Sequence, residues 1–592
     1  MGSSVDELGN IWMLSFECAS VRACGSVGQS VHGLSRELAA RGANIKVLMP
    51  AHGANKDKAL KNRLNLKEHE LVVKGRLKQR EFLPYKHSWS YKIAVETGRI
   101  DGAEIVLFKG LNGATSNILD DPVLYRPGKV EDKACLFARG VSGFLKYRIE
   151  RSLPPPNIIH IHNDQTVPAG IQAKQILENN GLRVGTVFTV HELYKTMVSW
   201  PYLDRSWCGL KNMKHPVSLE GGRQELSHKQ LLRKARRRME SFGAMESHLL
   251  TAVSEDFLKN VLKFVGPSCE HKTMVAWDGC DWNYDSLWTE ALANFGEDVK
   301  KRLAVAVVKR FQMRKYLLTS LLGNLPPEEP AFDCEEIAQE VYKLTKEPFL
   351  GKGRVAPFSG DGPMVLLKAR VRKQGELDSF FRSVPKVLQL IPDVRFLLLL
   401  RPTYESLHLI HKLSNLSMRY KENMRILFGS VDSIYRLAHL VSSIYVAPES
   451  GQPFTAGVLE AMASGNPCVC PKFEGLHGKV IDVRDDLTTG TGILVPPGDP
   501  DELANAVASL INIVSVSETL LRDGGIQRTE LEEKTNKISF SLARTVVMED
   551  PSYGLTLREN AMQHVSKNFR WNKVAAMMIS CYRKALDTAA TL

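Results

Sequence analysis

IWMLSFECASVRACGSVGQSVHGLSRELAARGANIKVLM, residues 11–49, sets the architecture of the chain. Ile11–Phe16 is a short apolar run and reads as a strand. Ser30–Arg41 carries apolar residues at helical spacing, and Ile45–Met49 is a second apolar run. Strand, helix and strand in so short a span is a βαβ unit, which places two parallel strands beneath one crossover helix. The unit recurs: Ile158–Ile161, a helix, then Val184–Val190. Strands alternating with helices imply a parallel sheet covered on both faces. In such sheets ligands sit outside the C-terminal ends of the strands, so the loops that follow strands are where chemistry belongs.

A second α/β pattern begins further on. It runs strand Met364–Leu367, helix Leu377–Leu390, strand Val394–Leu400, helix Tyr404–Leu413, strand Ile444–Ala447, helix Ala456–Ala463 and strand Cys468–Cys470. Between the two patterns, Asp298–Lys315 reads as a basic helix. Asn324–Gly362, rich in Pro, Gly and charge, reads as an irregular insertion or connector. Two doubly wound domains with a cleft between them are the simplest architecture. A length of 592 residues agrees with two large domains.

Composition excludes several classes. Hydrophobic residues are 44% and charged residues 24%, which rules out a disordered or collagen-like chain. No run of about 18 uncharged apolar residues occurs, and mean hydropathy is −0.17, so no membrane partner is expected. The net charge of +13 suits a partner carrying phosphate, such as a nucleotide, a sugar nucleotide or RNA. A nucleic-acid binder would more often show a basic face with interleaved aromatics. The one dense cluster, Arg233, Lys234, Arg236, Arg237 and Arg238, lies in a helical pattern and reads as a solvated helix face. The segment MGSSVDELGN has no basic n-region, and Asp6 stands where N-myristoylation needs Ser or Thr. The ten cysteines form no C-x-x-C pair and read as reduced thiols of a cytoplasmic protein.

Four loops after strands are candidate sites. Ala23–Ser30 (ACGSVGQS) offers Gly25 and Gly28, which let backbone approach a phosphate, although the G-x-G-x-x-G spacing is not met. His160–Asp164 (HIHND) puts two histidines on one side of a strand, with His191 ending the next. These could ligate zinc or hydrogen-bond a sugar. Val446–Val469 (VAPESGQPFTAGVLEAMASGNPCV) leads through Gly451 and Pro453 into a helix. The N–H groups of Thr455, Ala456 and Gly457 would face an anion, and Glu460, one turn on, can accept from paired ribose hydroxyls. Lys368, Arg370, Arg372 and Lys373 follow a strand and could neutralise a leaving diphosphate.

At these residues the chain resembles the glycogen synthases of the bacterial and archaeal type, retaining GT-B glycosyltransferases of the glycogen/starch synthase family. SFECASVRACGSVGQSVHGLSRELAARGANIKVLMPAHG resembles the family's opening strand, its Lys-x-Gly-Gly loop, its helix and its Pro-x-His-Gly strand end. HIHNDQT resembles its His-x-His-Asp-Trp-His segment, LLTAVSEDF the strand that closes the first domain, and VAWDGCDW its Asn-Gly-x-Asp segment. QPFTAGVLEAMASGNP resembles its Glu-Pro-Phe-Gly…Glu signature, and FRWNKVA (569–575) the tail that returns to the first domain. Six such segments stand in the family's order, and the region 290–360 is least covered.

The resemblance implies an α/β, GT-B architecture of two Rossmann-like doubly wound domains. These would be an N-terminal acceptor-side domain at 1–270 and a nucleotide-sugar domain at 271–565 with an insertion at about 290–360. A C-terminal helix, 566–592, would cross back. It implies transfer of glucose from ADP-glucose or UDP-glucose to the non-reducing end of an α-1,4-glucan, in the cytoplasm, with no metal or other cofactor. By position, His162 matches the histidine that contacts the donor sugar. Arg370 and Lys373 match the pair on the diphosphate, with Arg372 the alternative to Lys373. Glu460 matches the ribose ligand, Asp132 an aspartate lining the sugar site, and Gly25 the glycine beside the donor phosphates. The departures are Arg22 for the loop lysine, Cys24 for its first glycine, Asn163-Asp164-Gln165 for Asp-Trp-His, and Gln452 for the first acid of the signature. An amide keeps hydrogen bonds and loses charge, so a non-catalytic or altered-specificity homologue is the alternative. A metal-dependent hydrolase using His160 and His162 is the more remote one.

Overall fold

Ile11, Trp12, Met13 and Leu14 have no exposed surface, as a strand covered on both faces requires. They belong to β1 (Asn10–Leu14), which pairs in parallel with β2 (Asn44–Pro50) on one side and β6 (Ile158–His162) on the other. The computed structural model describes residues 6–77, 89–372, 375, 377–447, 456–472, 476 and 478–592. Two units emerge: Met1–Gly279 together with Trp571–Leu592, and Cys280–Arg570.

The first unit is built on nine strands. Besides β1, β2 and β6 these are β3 (Lys67–Leu77), β4 (Trp89–Ile100), β5 (Ala103–Gly110), β7 (Gly185–Val190), β10 (Leu249–Ala252) and β11 (Thr273–Val275). Their order is β11-β10-β7-β6-β1-β2-β5-β4-β3. Pairing is parallel from β11 to β5, and β4 runs antiparallel to both β5 and β3. A separate hairpin, β8 (Lys214–Leu219) and β9 (Gly222–Ser227), turns at Glu220 and Gly221, both with positive φ. Two such residues give the turn whose twist matches the strands it joins.

The second unit holds a small hairpin, β12 (Phe349–Gly351) and β13 (Arg354–Val355). Its six-stranded sheet comprises β14 (Met364–Val371), β15 (Arg395–Pro402), β16 (Met424–Phe428), β17 (Ile444–Val446), β18 (Cys468–Pro471) and β19 (Gly492–Val495). It runs in the order β16-β15-β14-β17-β18-β19, and every pairing is parallel. Helix Pro500–Asp523 is long and apolar enough to cross a membrane by length and composition, yet 78% of its apolar window is buried. It packs against helices Asp378–Leu390 and Tyr553–Asn568.

The chain's last helix, Trp571–Thr591, completes the core of the first unit. Val574, Ala575, Met578, Ile579, Tyr582 and Ala585 join one buried cluster with β1, β2 and helix Ser26–Ala40. Trp571 lies between two glycines. A Cβ on Gly33 would stand 2.1 Å from its Cε2, and a Cβ on Gly279 would stand 2.7 Å from its Cδ2. Both glycines are there to let the indole in.

Several elements differ from the sequence reading. The first crossover helix starts at Ser26, so Gly28 lies in its first turn, where a Cβ would stand 2.3 Å from that of Ala23. Gly28 serves helix–loop packing. Lys368 and Arg370 lie within β14, which is longer than the apolar run alone. The basic helix at 298–315 is two helices, Tyr284–Leu303 and Arg310–Thr319. The break falls at Ala304 and the run Val305, Val307, Val308, where β-branched residues lower helix propensity. The cluster Arg233–Arg238 is no continuous helix face. The helix ends at Lys234, and Arg236 and Arg237 take positive φ so that Val198 N can donate to Arg237 O. A boundary at 270/271 would cut off β11, which pairs with β10 of the first unit, and the observed boundary follows Gly279.

Gly33→Ala should destabilise the protein by about 1–3 kcal/mol, the usual cost of forcing a methyl into a filled core. Urea unfolding followed by tryptophan fluorescence measures it. A midpoint equal to wild type would show that Trp571 is not held as described.

Candidate active site

In the first unit the parallel strands bring three loops to one edge of the sheet. After β1, the segment Ser15–Gly25 folds around Glu17, which is only 1% exposed. Its Oε2 accepts from Cys24 N at 2.8 Å and Gly25 N at 2.9 Å. Its Oε1 accepts from Tyr125 Oη at 2.7 Å. Gly25 is the N-cap of helix Ser26–Ala40 and has no side chain to cap it. The carboxylate therefore supplies both the missing acceptor and the negative charge that a helix N-terminus favours. The loop amides hold an anion from the chain itself. Arg22 pairs with Asp57 at 3.3 Å. Asp132 is buried in the first turn of helix Val130–Glu150.

At the ends of β6 and β7 stand the three histidines. His160 is fully engaged: Nδ1 meets Tyr582 Oη at 2.9 Å and Nε2 meets Thr189 Oγ1 at 2.6 Å. Burial and the neighbouring His191 lower its pKa to about 3. It is a neutral structural residue with no lone pair left for a metal, which removes it from the His160/His162 metal reading. His162 Nδ1 meets His191 Nε2 at 2.9 Å, and burial holds both rings neutral. One ring must donate to the other. Whichever does, His162 Nε2 and His191 Nδ1 are left as one donor and one acceptor. Among the described residues neither atom has a hydrogen-bond partner, and both are buried.

Asn163, at φ 60°, turns the chain after β6, and its Oδ1 accepts from His191 N at 2.8 Å. Beside it, Asp164 accepts from Thr196 Oγ1, and Glu240 accepts from Lys195 N at 2.6 Å. Burial, then the charge of Glu240, pushes the Asp164 carboxyl up to about 7. Asn163 Nδ2, Asp164 Oδ1 and Glu240 Oε2 are also buried without a hydrogen-bond partner among the described residues. Donors and acceptors in this mixture match a hydroxyl-rich ligand better than a simple ion.

Among the described residues, one set has metal-ligand geometry: His215, His228 and Glu246. Glu246 meets His215 Nε2 at 2.8 Å and His228 Nδ1 at 2.6 Å. The amide of Gln175 is fixed by Lys211, which donates to its Oε1 at 2.9 Å and accepts from its Nε2 at 2.7 Å. Gln175 Nε2 therefore donates to His228 Nε2, so His228 carries its proton on Nδ1 and donates it to Glu246. A proton occupies the place a metal would need, and the set is a hydrogen-bonded chain.

In the second unit, Lys368 and Arg370 lie two apart at the C-terminal half of β14, on one face and half-buried. Lys368 Nζ is 3.1 Å from Glu460 Oε2 and also bonds Tyr435 Oη, which itself donates to Glu460. Burial alone would raise the Glu460 carboxyl. Lys368, His439 and Tyr435 outweigh burial and hold it below its ordinary value. Glu460 sits in helix Ala456–Ala463. At the start of that helix a Cβ on Gly457 would stand 2.5 Å from Tyr445 Oη and 3.7 Å from Lys368 Cδ. The glycine lets the helix start press against β17 and β14. Lys373, Gln452 and Thr455 lie outside the described residues.

Arg22, Gly25, Asp132 and His162 thus fall in the first unit, and Arg370, Ala456, Gly457 and Glu460 in the second. Sequence reasoning missed Glu17, whose signal was an acid directly after the apolar run Ile11–Phe16 and six residues before the glycine loop Ala23–Ser30. It also missed Tyr435 and the Asp164–Glu240 pair, which come together only through tertiary contacts.

Residues 10–272 match the family described as starch synthase catalytic domain, and residues 362–512 match glycosyl transferases group 1. Over 84 residues the chain is 35% identical to a probable sucrose-phosphate synthase 2 of Craterostigma plantagineum, covering 14% of this chain and 7% of that protein. Over 96 residues it is 30% identical to the sucrose-phosphate synthase of Zea mays, covering 16% and 8%. These matches span less than a tenth of the curated relatives' length. Among solved structures, the catalytic domain of starch synthase IV from Arabidopsis thaliana, bound to ADP and acarbose, superposes with a TM-score of 0.66. It is 16% identical and covers 98% of this chain and 99% of its own. The sucrose-phosphate synthase of Thermosynechococcus elongatus gives 0.52 at 15% identity, covering 97% and 98%. The fold is GT-B.

Asp164 generates a pH prediction. The folded protein keeps its proton until about pH 7, whereas the unfolded chain releases it near 3.8. Stability therefore falls as pH rises from about 4 to about 7 and is level above. Asp164→Asn removes that loss. Its thermal midpoint should exceed that of wild type at pH 8, by about 1–2 °C for each kcal/mol relieved in a unit of this size, with little gain at pH 4. An equal shift at both pH values would show that this carboxyl is not the titrating group.

Proposed function

We propose that this chain, a glycosyltransferase of the starch synthase and sucrose-phosphate synthase type, moves glucose from ADP-glucose or UDP-glucose to the non-reducing end of an α-1,4-glucan with retention of configuration. The observation that carries the reading is the grouping of Lys368, Arg370 and the ionised Glu460 at the C-terminal half of β14, beside the start of helix Ala456–Ala463. Cations next to a fixed carboxylate suit a nucleoside diphosphate, with phosphates toward the arginine and ribose hydroxyls toward the acid. The buried donors and acceptors around His162, His191 and Asn163 suit the hydroxyls of a hexose.

In this mechanism Arg370, Lys373 and the N–H groups of Thr455, Ala456 and Gly457 hold the diphosphate as negative charge develops on it. The leaving phosphate oxygen takes the proton of the acceptor hydroxyl on the same face, so no enzyme carboxylate attacks the sugar carbon. By the resemblance, His162 takes the role of orienting the donor sugar, and Asp132, Arg22 and Gly25 are the other residues of the first unit it assigns to the donor. Charge neutralisation by these groups takes the part a divalent cation plays elsewhere.

A second reading changes the acceptor. Local identity with sucrose-phosphate synthases favours a sugar phosphate in place of a glucan. Gln452, where the family pattern has an acid, favours reduced or altered turnover. One assay separates these readings: turnover with each nucleotide-glucose against a glycogen primer and against a hexose phosphate. Transfer to the primer supports the first, and transfer to the hexose phosphate alone replaces it with the second.

Arg370→Ala should weaken diphosphate binding and turnover together, by about 2–5 kcal/mol, because it strips a half-buried charge from its phosphate partner. Titration with ADP and UDP, read beside kcat, checks it, and unchanged affinity would sink the phosphate assignment. Gln452→Glu should raise kcat with little change in donor affinity if the missing charge acts mainly in the transition state. A fall in kcat would show that the amide is fitted to its own ligand.

A further inference from the structure

The insertion that sequence reading left without a role reaches the C-terminal ends of β15 and β16. Ala331 and Ser430 exchange two backbone hydrogen bonds, each 2.8 Å, so the insertion forms an antiparallel bridge with the loop that follows β16. Asp333 pairs with Arg401 near the end of β15. Gly429, at φ 105°, accepts this approach because it has no side chain. A Cβ there would stand 2.6 Å from Ala331 O and 3.2 Å from the ring of Phe332. Phe332 is half-buried, and its ring is fixed edge-to-face by Tyr342, 5.6 Å away between centroids.

We propose that Phe332 is the stacking face for the nucleobase of the donor, so that the insertion is part of the binding site and sets its preference for the base. The inference rests on the nucleotide-sugar reading above and deepens it. Glu460, the proposed ribose ligand, is bonded to Tyr435 on helix Asp432–Val441. That helix begins directly after the Gly429–Val431 loop. From Tyr435 back to the loop is four or five residues, about 6–8 Å along a helix, the span from a ribose to the far side of its base. The start of this helix is closed to phosphate, because the Glu329 carboxylate already accepts from Ser433 N at 2.8 Å and from Ser433 Oγ. A second anion there would be repelled, whereas a neutral planar ring would not. Every nucleobase has a π-face, and an aromatic side chain beside it offers the matching surface.

Calorimetric titration of ADP, UDP and inorganic pyrophosphate into wild type, Phe332→Leu and Phe332→Trp tests this. Leucine keeps apolar bulk against Gly429 and removes the planar face, and tryptophan restores one. Phe332→Leu should bind the preferred nucleotide about 5- to 150-fold more weakly, with pyrophosphate affinity unchanged and Phe332→Trp close to wild type. A shift in the ADP-to-UDP affinity ratio among the three proteins would further support the assignment. Nucleotide and pyrophosphate affinities falling together would show that the insertion merely braces the unit, and that overturns the proposal. Unchanged nucleotide affinity in Phe332→Leu overturns it as well. A wild type that binds pyrophosphate but neither nucleotide defeats the nucleotide-sugar reading itself, a result distinguishable from failure at Phe332.

Discussion

Parallel pairing of β1 with β2 and β6 is the constraint on which the rest of the first unit depends. Parallel neighbours cannot be joined by a tight turn, so each strand must be followed by a crossover, here mostly helical, that covers the sheet. The strands are consequently buried on both faces and dominated by apolar side chains. Polar residues collect where the strands stop. Glu17, His162 and His191 all lie within three residues of a strand end. The same logic in the second unit brings Lys368 of β14 next to Glu460. Each cluster follows from the direction of the strands in its own unit.

In both units the chain's own charges occupy places a ligand's charge could take. The amides of Cys24 and Gly25 hold Glu17, and the start of helix Asp432–Val441 holds Glu329. Glu460 is held ionised by Lys368 and Tyr435. A loop amide already bonded to a buried carboxylate is fixed in direction before any substrate arrives, and that fixing lowers the cost of ordering the site on binding. Around the end of β6, the buried atoms without a partner among the described residues belong to neutral imidazoles, an amide and carboxyls, one of which keeps its proton to about pH 7. Charge fixes the frame, and neutral polar groups are left to recognise.

Much of this was legible in the amino-acid order. The apolar runs at 11–16, 45–49 and 158–161 have no other comfortable home than covered parallel strands, a second such pattern begins at Met364, and the resemblance is what implies that the pair is GT-B. His162, Arg370 and Glu460 could be picked out because each sits in or just after such a run, beside glycine or charge. Glu240 was invisible: it lies inside an ordinary helical stretch and meets Asp164 only when the chain near Thr196 is bonded to the start of that helix. Tyr435 was hidden for the same reason. The strand carrying Lys368 and Arg370 was read short because cations interrupt its apolar pattern, although half-buried positions at a strand end admit them. The insertion's low-complexity look concealed its backbone bridge to Ser430, since such a bridge depends on geometry and hardly on side-chain type.

The seat of Trp571 between Gly33 and Gly279 has a consequence for biosynthesis. The first unit cannot close its core until its final helix exists, and the whole of Cys280–Arg570 is made in between. At about 5–20 residues per second, the ribosome spends about 15–60 s on that stretch. Throughout that interval the nascent chain presents an open trough beside Gly33 and an uncovered apolar face on the helix and strands that later receive Val574, Met578 and Ile579. A growing polypeptide in that state invites chaperone capture. Completion of the first unit's core is then timed by the codons for Trp571–Leu592, whichever unit began to fold first.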